Sequence, residues 1–124
     1  MATVLIIEDE RPLRASLRAA LEEAHHTVLE AGDGEMGLAL VREQKPDLIL
    51  LDIILPKKDG LSLLETLHLD PTYRSMPVIM LSNLSDDATV REATGLGARE
   101  FLVKTDVSID DILTKVSKAL GSAK

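Results

Sequence analysis

Three short, unbroken aliphatic runs each end in a polar side chain able to do chemistry. Val4-Leu5-Ile6-Ile7 leads into Glu8-Asp9, Leu48-Ile49-Leu50-Leu51 into Asp52, and Val78-Ile79-Met80-Leu81 into Ser82. Runs of this length are strands rather than helices, and continuous rather than alternating hydrophobicity means that both faces are covered. Such strands belong to parallel sheets with helices packed on each side. Thr27 to Glu30 and Glu100 to Val103 are weaker strand candidates.

Helical patterns lie between the strands. Leu13, Leu17, Ala20, Leu21 and Ala24 recur at helical spacing, as do Ile109, Ile112, Leu113, Val116 and Leu120. Ser108 with Asp111 reads as the N-cap of the last helix, and Gly121 as the residue just past its end. Pro12 suits a first turn, and Ser85 reads as the cap of a helix running to about Thr94. Asp33-Gly34 reads as turn or cap chemistry, His25, His26 and His68 as surface helix positions, and Met36, Met76 and Met80 as packing. The whole is an α/β chain, (βα)₅. The expected architecture is a flavodoxin-like, doubly wound, five-stranded parallel sheet of strand order 2-1-3-4-5.

At 124 residues the chain has the size of one domain, expected over 1–124, and can bury a core without staples. Only Tyr73 and Phe101 are aromatic, so aliphatic side chains do nearly all the packing. No cysteine is present, which removes disulfides and thiolate chemistry. A net charge of −7 disfavours polyanionic partners, so no nucleic acid and no membrane are expected to bind this domain. No apolar run is long enough to span a bilayer, and Met1-Ala2-Thr3 does not open a signal peptide. A cytoplasmic location is expected.

The acids fall where ligands bind in open α/β sheets, outside the carboxyl ends of the strands. Strands one and three are neighbours in the flavodoxin-like order, which would bring Glu8, Asp9 and Asp52 to one edge. Carboxylates that close repel unless a cation relieves them, and a hard divalent ion such as Mg²⁺ suits oxygen ligands. Ser82 and Lys104 also follow strands, completing a constellation of carboxylate nucleophile, hydroxyl and ammonium suited to a phosphoryl group. Plainer readings stand beside these. The acids can be helix caps, Ser82 a turn residue, Lys104 a solvated charge and Phe101 core.

Four segments carry a family resemblance: Ile-Ile-Glu-Asp-Glu at 6–10, Leu-Leu-Asp-Ile-Ile-Leu-Pro-Lys-Lys-Asp-Gly at 50–60, Pro-Val-Ile-Met-Leu-Ser at 77–82 and Gly-Ala-Arg-Glu-Phe-Leu-Val-Lys at 97–104. In order and spacing the chain resembles the receiver domains of two-component response regulators. The resemblance implies that Asp52 accepts a phosphoryl group and that Mg²⁺ is the cofactor. It implies Asp9 as a direct metal ligand beside Asp52, Glu8 acting through water, and Ile54 contributing its backbone carbonyl. Ser82 matches the switch hydroxyl, Lys104 the lysine that pairs with the phosphoryl group, and Phe101 the aromatic that swings with Ser82. The implied partners are a sensor histidine kinase or phosphotransfer protein and a downstream protein target.

Three positions depart from the pattern, the first being Glu8 in place of the commoner aspartate, a variant the family tolerates. Thr105 follows Lys104 where the family has a proline in a cis peptide, a bond costing about 2.5–4 kcal/mol before any other residue. Asn83 stands where the family has a small residue. The expected function is a signalling switch and not an enzyme, since it would act only on its own phosphorylation and dephosphorylation. The alternative is a phosphorylation-independent interaction module of the same fold. A flavin carrier is disfavoured because Glu8-Asp9-Glu10 after the first strand would repel an anion.

Overall fold

A computed structural model describes residues 2–121; the outer limits of the expected 1–124 domain, residue 1 and residues 122–124, lie outside it. In chain order the elements are β1 (Thr3–Ile7), α1 (Arg11–Glu23), β2 (Thr27–Ala31), α2 (Gly34–Gln44), β3 (Leu48–Leu51), α3 (Gly60–Leu69), β4 (Val78–Ser82), α4 (Asp87–Gly95), β5 (Glu100–Val103), a 3₁₀ turn (Lys104–Asp106) and α5 (Ile109–Gly121). The strands form one parallel sheet in the order β2-β1-β3-β4-β5, the doubly wound order expected.

Successive side chains of a strand point to opposite faces, so each central strand feeds two cores. Val4, Ile6, Leu48 and Leu50 pack on one side with Leu17 and Leu21 of α1 and Ile112 and Val116 of α5. Leu5, Ile7, Ile49 and Leu51 pack on the other with Val41 of α2, Leu63 and Leu67 of α3 and Ala93 of α4. Each fully buried Leu or Ile contributes about 1.5–3 kcal/mol by leaving water. No helix among the described residues is long and apolar enough to cross a membrane.

Several helix ends differ from expectation. Helix α4 is capped by Asp86, which accepts from the Thr89 N–H, rather than by Ser85. A carboxylate next to the first turn satisfies the free N–H groups and favours the positive end of the helix dipole. Gly121 lies inside α5 instead of beyond it. Ser108 and Asp111 form the expected capping box, each accepting the other's backbone N–H. Asp33 caps α2 through the Met36 N–H, and Asp59 caps α3 through the Ser62 N–H. His25 and His26 fall in the turn between α1 and β2, His25 with φ of 71°, because α1 stops at Glu23; only His68 is helical. Met80 is core and Met76 partly so, but Met36 is exposed.

Gly60 is fixed by packing next to the site. A Cβ on Gly60 would stand 2.0 Å from the Asp52 carbonyl oxygen and 2.8 Å from the Ile53 Cα. The start of α3 thus presses on the backbone at the end of β3, where the Gly60 N–H donates to the Ile53 carbonyl at 2.7 Å. Gly60→Ala is expected to cost about 2 kcal/mol in urea unfolding, because backbone rather than a flexible side chain must yield. A loss below about 0.5 kcal/mol, the scale of neutral surface changes, would mean that the loop gives way freely.

Candidate phosphoacceptor and metal site

The backbone brings the acids together. The Asp52 N–H donates to the Ile7 carbonyl at 3.1 Å, continuing the β1–β3 ladder one residue past the strands. The Glu8 N–H donates to the Ala31 carbonyl at 3.0 Å on the other side. Arg14 of α1 then clamps the loop, donating to the Glu8 carbonyl at 2.7 Å while its Nε holds Glu30 at 3.0 Å. Glu8 and Asp52 are left side by side and buried, 2% and 6% exposed.

Lys104 closes the group. Its Nζ lies 2.8 Å from Glu8 Oε1, 2.8 Å from Asp52 Oδ2 and 2.9 Å from Glu10 Oε1. The other oxygen of each buried carboxylate takes a backbone N–H: Asp52 Oδ1 that of Ile53 at 2.6 Å, Glu8 Oε2 that of Glu10 at 3.1 Å. Burial pushes the Glu8 pKa up, with the Asp52 charge adding to it, against the hydrogen bonds from Lys104 and the Glu10 N–H. Burial alone would lower the Lys104 pKa, but hydrogen bonds to Asp52, Glu8 and Glu10 outweigh it, so the ammonium stays charged.

Oxygen atoms of Glu8, Glu10 and Asp52 all lie within 4.8 Å of one another. One ammonium cannot balance three carboxylates, so the site has excess negative charge and hard oxygen donors, the set a divalent cation such as Mg²⁺ takes. The donor chemistry therefore fits that ion.

The expected residues divide as follows. Asp9, Glu10, Asp52, Ile54, Ser82, Asn83, Leu84 and Lys104 line one cleft of about 200 Å³. Asp9 is exposed and stands outside the tight carboxylate group. Ser82 is buried, and its Oγ accepts the Leu84 N–H at 3.2 Å. Phe101 pairs with Met80 across β4–β5 and packs half-buried against the second core, away from the cleft lining. Every peptide bond among the described residues is trans, Lys104–Thr105 included. Glu10 is the member that sequence reasoning missed. Its signal was a third consecutive acid after β1 at the N-cap of α1, where its side chain makes no capping bond.

Comparison with known proteins bears on this geometry. A sequence model of the response regulator receiver domain matches residues 4–117. Protein CcdB of Bacillus subtilis is 36% identical over 123 residues, covering 98% of this chain and 99% of that protein. The transcriptional regulatory protein AfsQ1 of Streptomyces coelicolor is 38% identical over 84% of this chain, which spans only 45% of AfsQ1. Among solved structures, the receiver domain of the Francisella response regulator 1452 superposes with a TM-score of 0.91 at 28% identity, covering 100% of both chains.

Proposed function

The chain belongs to the response regulator receiver family of two-component signalling, and from that footing we propose that Asp52 is the residue it phosphorylates. The observation that carries this reading is Lys104 Nζ, 2.8 Å from Asp52 Oδ2, over a buried carboxylate whose Oδ1 is pinned by the Ile53 N–H. In this reading Asp52 Oδ2 attacks the phosphorus of a phosphohistidine. The O–P bond forms as the P–N bond breaks in line, and the imidazole leaves with the electron pair. Lys104 neutralises charge on the phosphoryl oxygens, and Ser82 supplies a hydroxyl to one of them. Asp9, Glu8, Asp52 and the Ile54 carbonyl would hold Mg²⁺, with Glu10 near enough to add charge. When bound, the ion neutralises the carboxylates and the transferring group. Phe101 is the aromatic that moves with Ser82.

A signalling module of this kind turns over no external substrate, and any loss of phosphate from Asp52 is its own reaction. Its partners are a histidine kinase or phosphotransfer protein and a downstream protein, in the cytoplasm, with the chain acting as one receiver unit. The phosphorylation-independent module has no observation in its favour, because the acids, hydroxyl and ammonium share one cleft. The test is incubation with acetyl phosphate and Mg²⁺, followed by mass spectrometry and mapping. One phosphoryl group per chain, on the peptide holding Asp52, is expected; none would overturn the reading.

The acyl phosphate is also expected to be long-lived. Ile54 and Leu84, 64% and 40% exposed, line the cleft mouth and offer no hydrogen bond to orient an attacking water. Losing one such bond, about 1–1.5 kcal/mol, slows hydrolysis roughly tenfold. Ile54→Asn and Leu84→Glu should therefore speed the loss of phosphate with no kinase present. Unchanged decay in both would reduce the pair to local packing.

A further inference from the structure

Two of the departures from the family pattern, Asn83 and Thr105, are hydrogen-bonded to each other. The Thr105 N–H donates to Asn83 Oδ1 at 3.2 Å, a bond that a proline at 105 could not make. Asn83 directly follows Ser82, and Thr105 directly follows Lys104. The parallel pairing of β4 with β5 ends at Ser82 opposite Val103, so no ladder bond holds the chains beyond that point. The Asn83 side chain bridges the gap one residue farther on, where Lys104 starts its 3₁₀ turn. It also lines the cleft with Ser82 and Lys104, and its bond to Thr105 draws its amide toward the β5 side.

We propose that the Asn83–Thr105 hydrogen bond is a positioning clamp, fixing Lys104 relative to Ser82 so that ammonium and hydroxyl meet one phosphoryl group together. The proposal rests on the phosphoacceptor reading of Asp52. Lys104 reaches three carboxylates on a long, flexible stem, so they hold its ammonium while the placing of its backbone sets the direction from which it arrives. The 3₁₀ turn alone is a weak anchor, since its hydrogen-bond geometry is poor. The clamp works through Lys104, so Asn83 and Thr105 are positioning residues and touch no reacting atom.

Asn83→Ala removes the acceptor and leaves the backbone donor in place. In the metal-free protein, hydrogen exchange of the Thr105 amide, followed by NMR, is expected to quicken about tenfold in the variant, as an amide that loses its partner opens to water. Phosphoryl uptake from acetyl phosphate with Mg²⁺ is expected to slow about threefold, the scale of one net hydrogen bond's worth of aim. The urea midpoint of unfolding should not move, because the bond is exposed. The proposal is overturned by equal Thr105 exchange in both proteins, or by uptake at or above the wild-type rate. Faster uptake would instead make Asn83 an obstacle at the cleft. A wild type that takes up no phosphoryl group would overturn the Asp52 reading itself, an outcome that amide exchange cannot produce.

Discussion

Asp52→Asn is expected to abolish phosphoryl uptake from acetyl phosphate, with no residual labelling at position 52. The substitution removes the anionic nucleophile and little else. The carboxamide oxygen can still accept the Ile53 N–H that Oδ1 takes at 2.6 Å. Lys104 keeps Glu8 at 2.8 Å and Glu10 at 2.9 Å, so its position survives. The loss thus reports the chemistry and not a collapsed site. A neutral amide is too weak a nucleophile for the step, and catalysis by positioning and charge alone cannot replace it. Stability provides a second reading. Three carboxylates face one ammonium, so deleting one charge should relieve repulsion by about 1 kcal/mol in EDTA, the scale of two like charges about 4 Å apart in a solvated cleft. Undiminished labelling in the variant would place the phosphoacceptor elsewhere.

Lys104→Met should act with the opposite sign and on a larger scale. The methionine keeps the length of the stem and deletes the charge that Glu8 and Asp52 share while buried. Removing one partner of a buried ion pair costs about 3–5 kcal/mol, and the lower end applies because Glu10 is exposed and the cleft opens to water. A loss of about 3 kcal/mol in EDTA is therefore expected in urea unfolding, with Mg²⁺ restoring much of it by mass action on the folded state. The pH dependence has a definite sign. The Lys104 pKa is raised by its carboxylate partners, so its contribution is fully present below the unfolded lysine value, about 10.4, and is lost only as pH rises through the higher folded value. The deficit of the variant should hold steady near neutral pH. It should shrink in acid, where Glu8, its pKa raised by burial, takes up a proton and the repulsion eases. An equal loss with and without Mg²⁺ would mean that Lys104 and the ion do not serve the same carboxylates.

The three central strands were legible from the chain because a strand covered on both faces has no polar position to interrupt it. Leu48 to Leu51 is fully buried and reads as an unbroken run. The edge strands were fainter for the same reason. β2 and β5 each leave much of their length half-buried or exposed, which admits Thr27, Glu30 and Glu100 and blurs the pattern. Placing Asp52 beside Glu8 needed only the strand order, since an acid at the end of a strand stays there whatever the loops do. Helix ends were harder, because neighbouring Ser85, Asp86 and Asp87 all suit a cap and one residue of shift selects among them. What the tertiary structure alone decided is which side chains reach across. Glu10 meets Lys104 over a separation of 94 residues, and Asn83 meets the Thr105 N–H over 22. Neither pair leaves a periodic trace in the sequence. Each contact depends on how far β1, β4 and β5 project past the sheet and how their loops turn, and long-range packing sets that geometry.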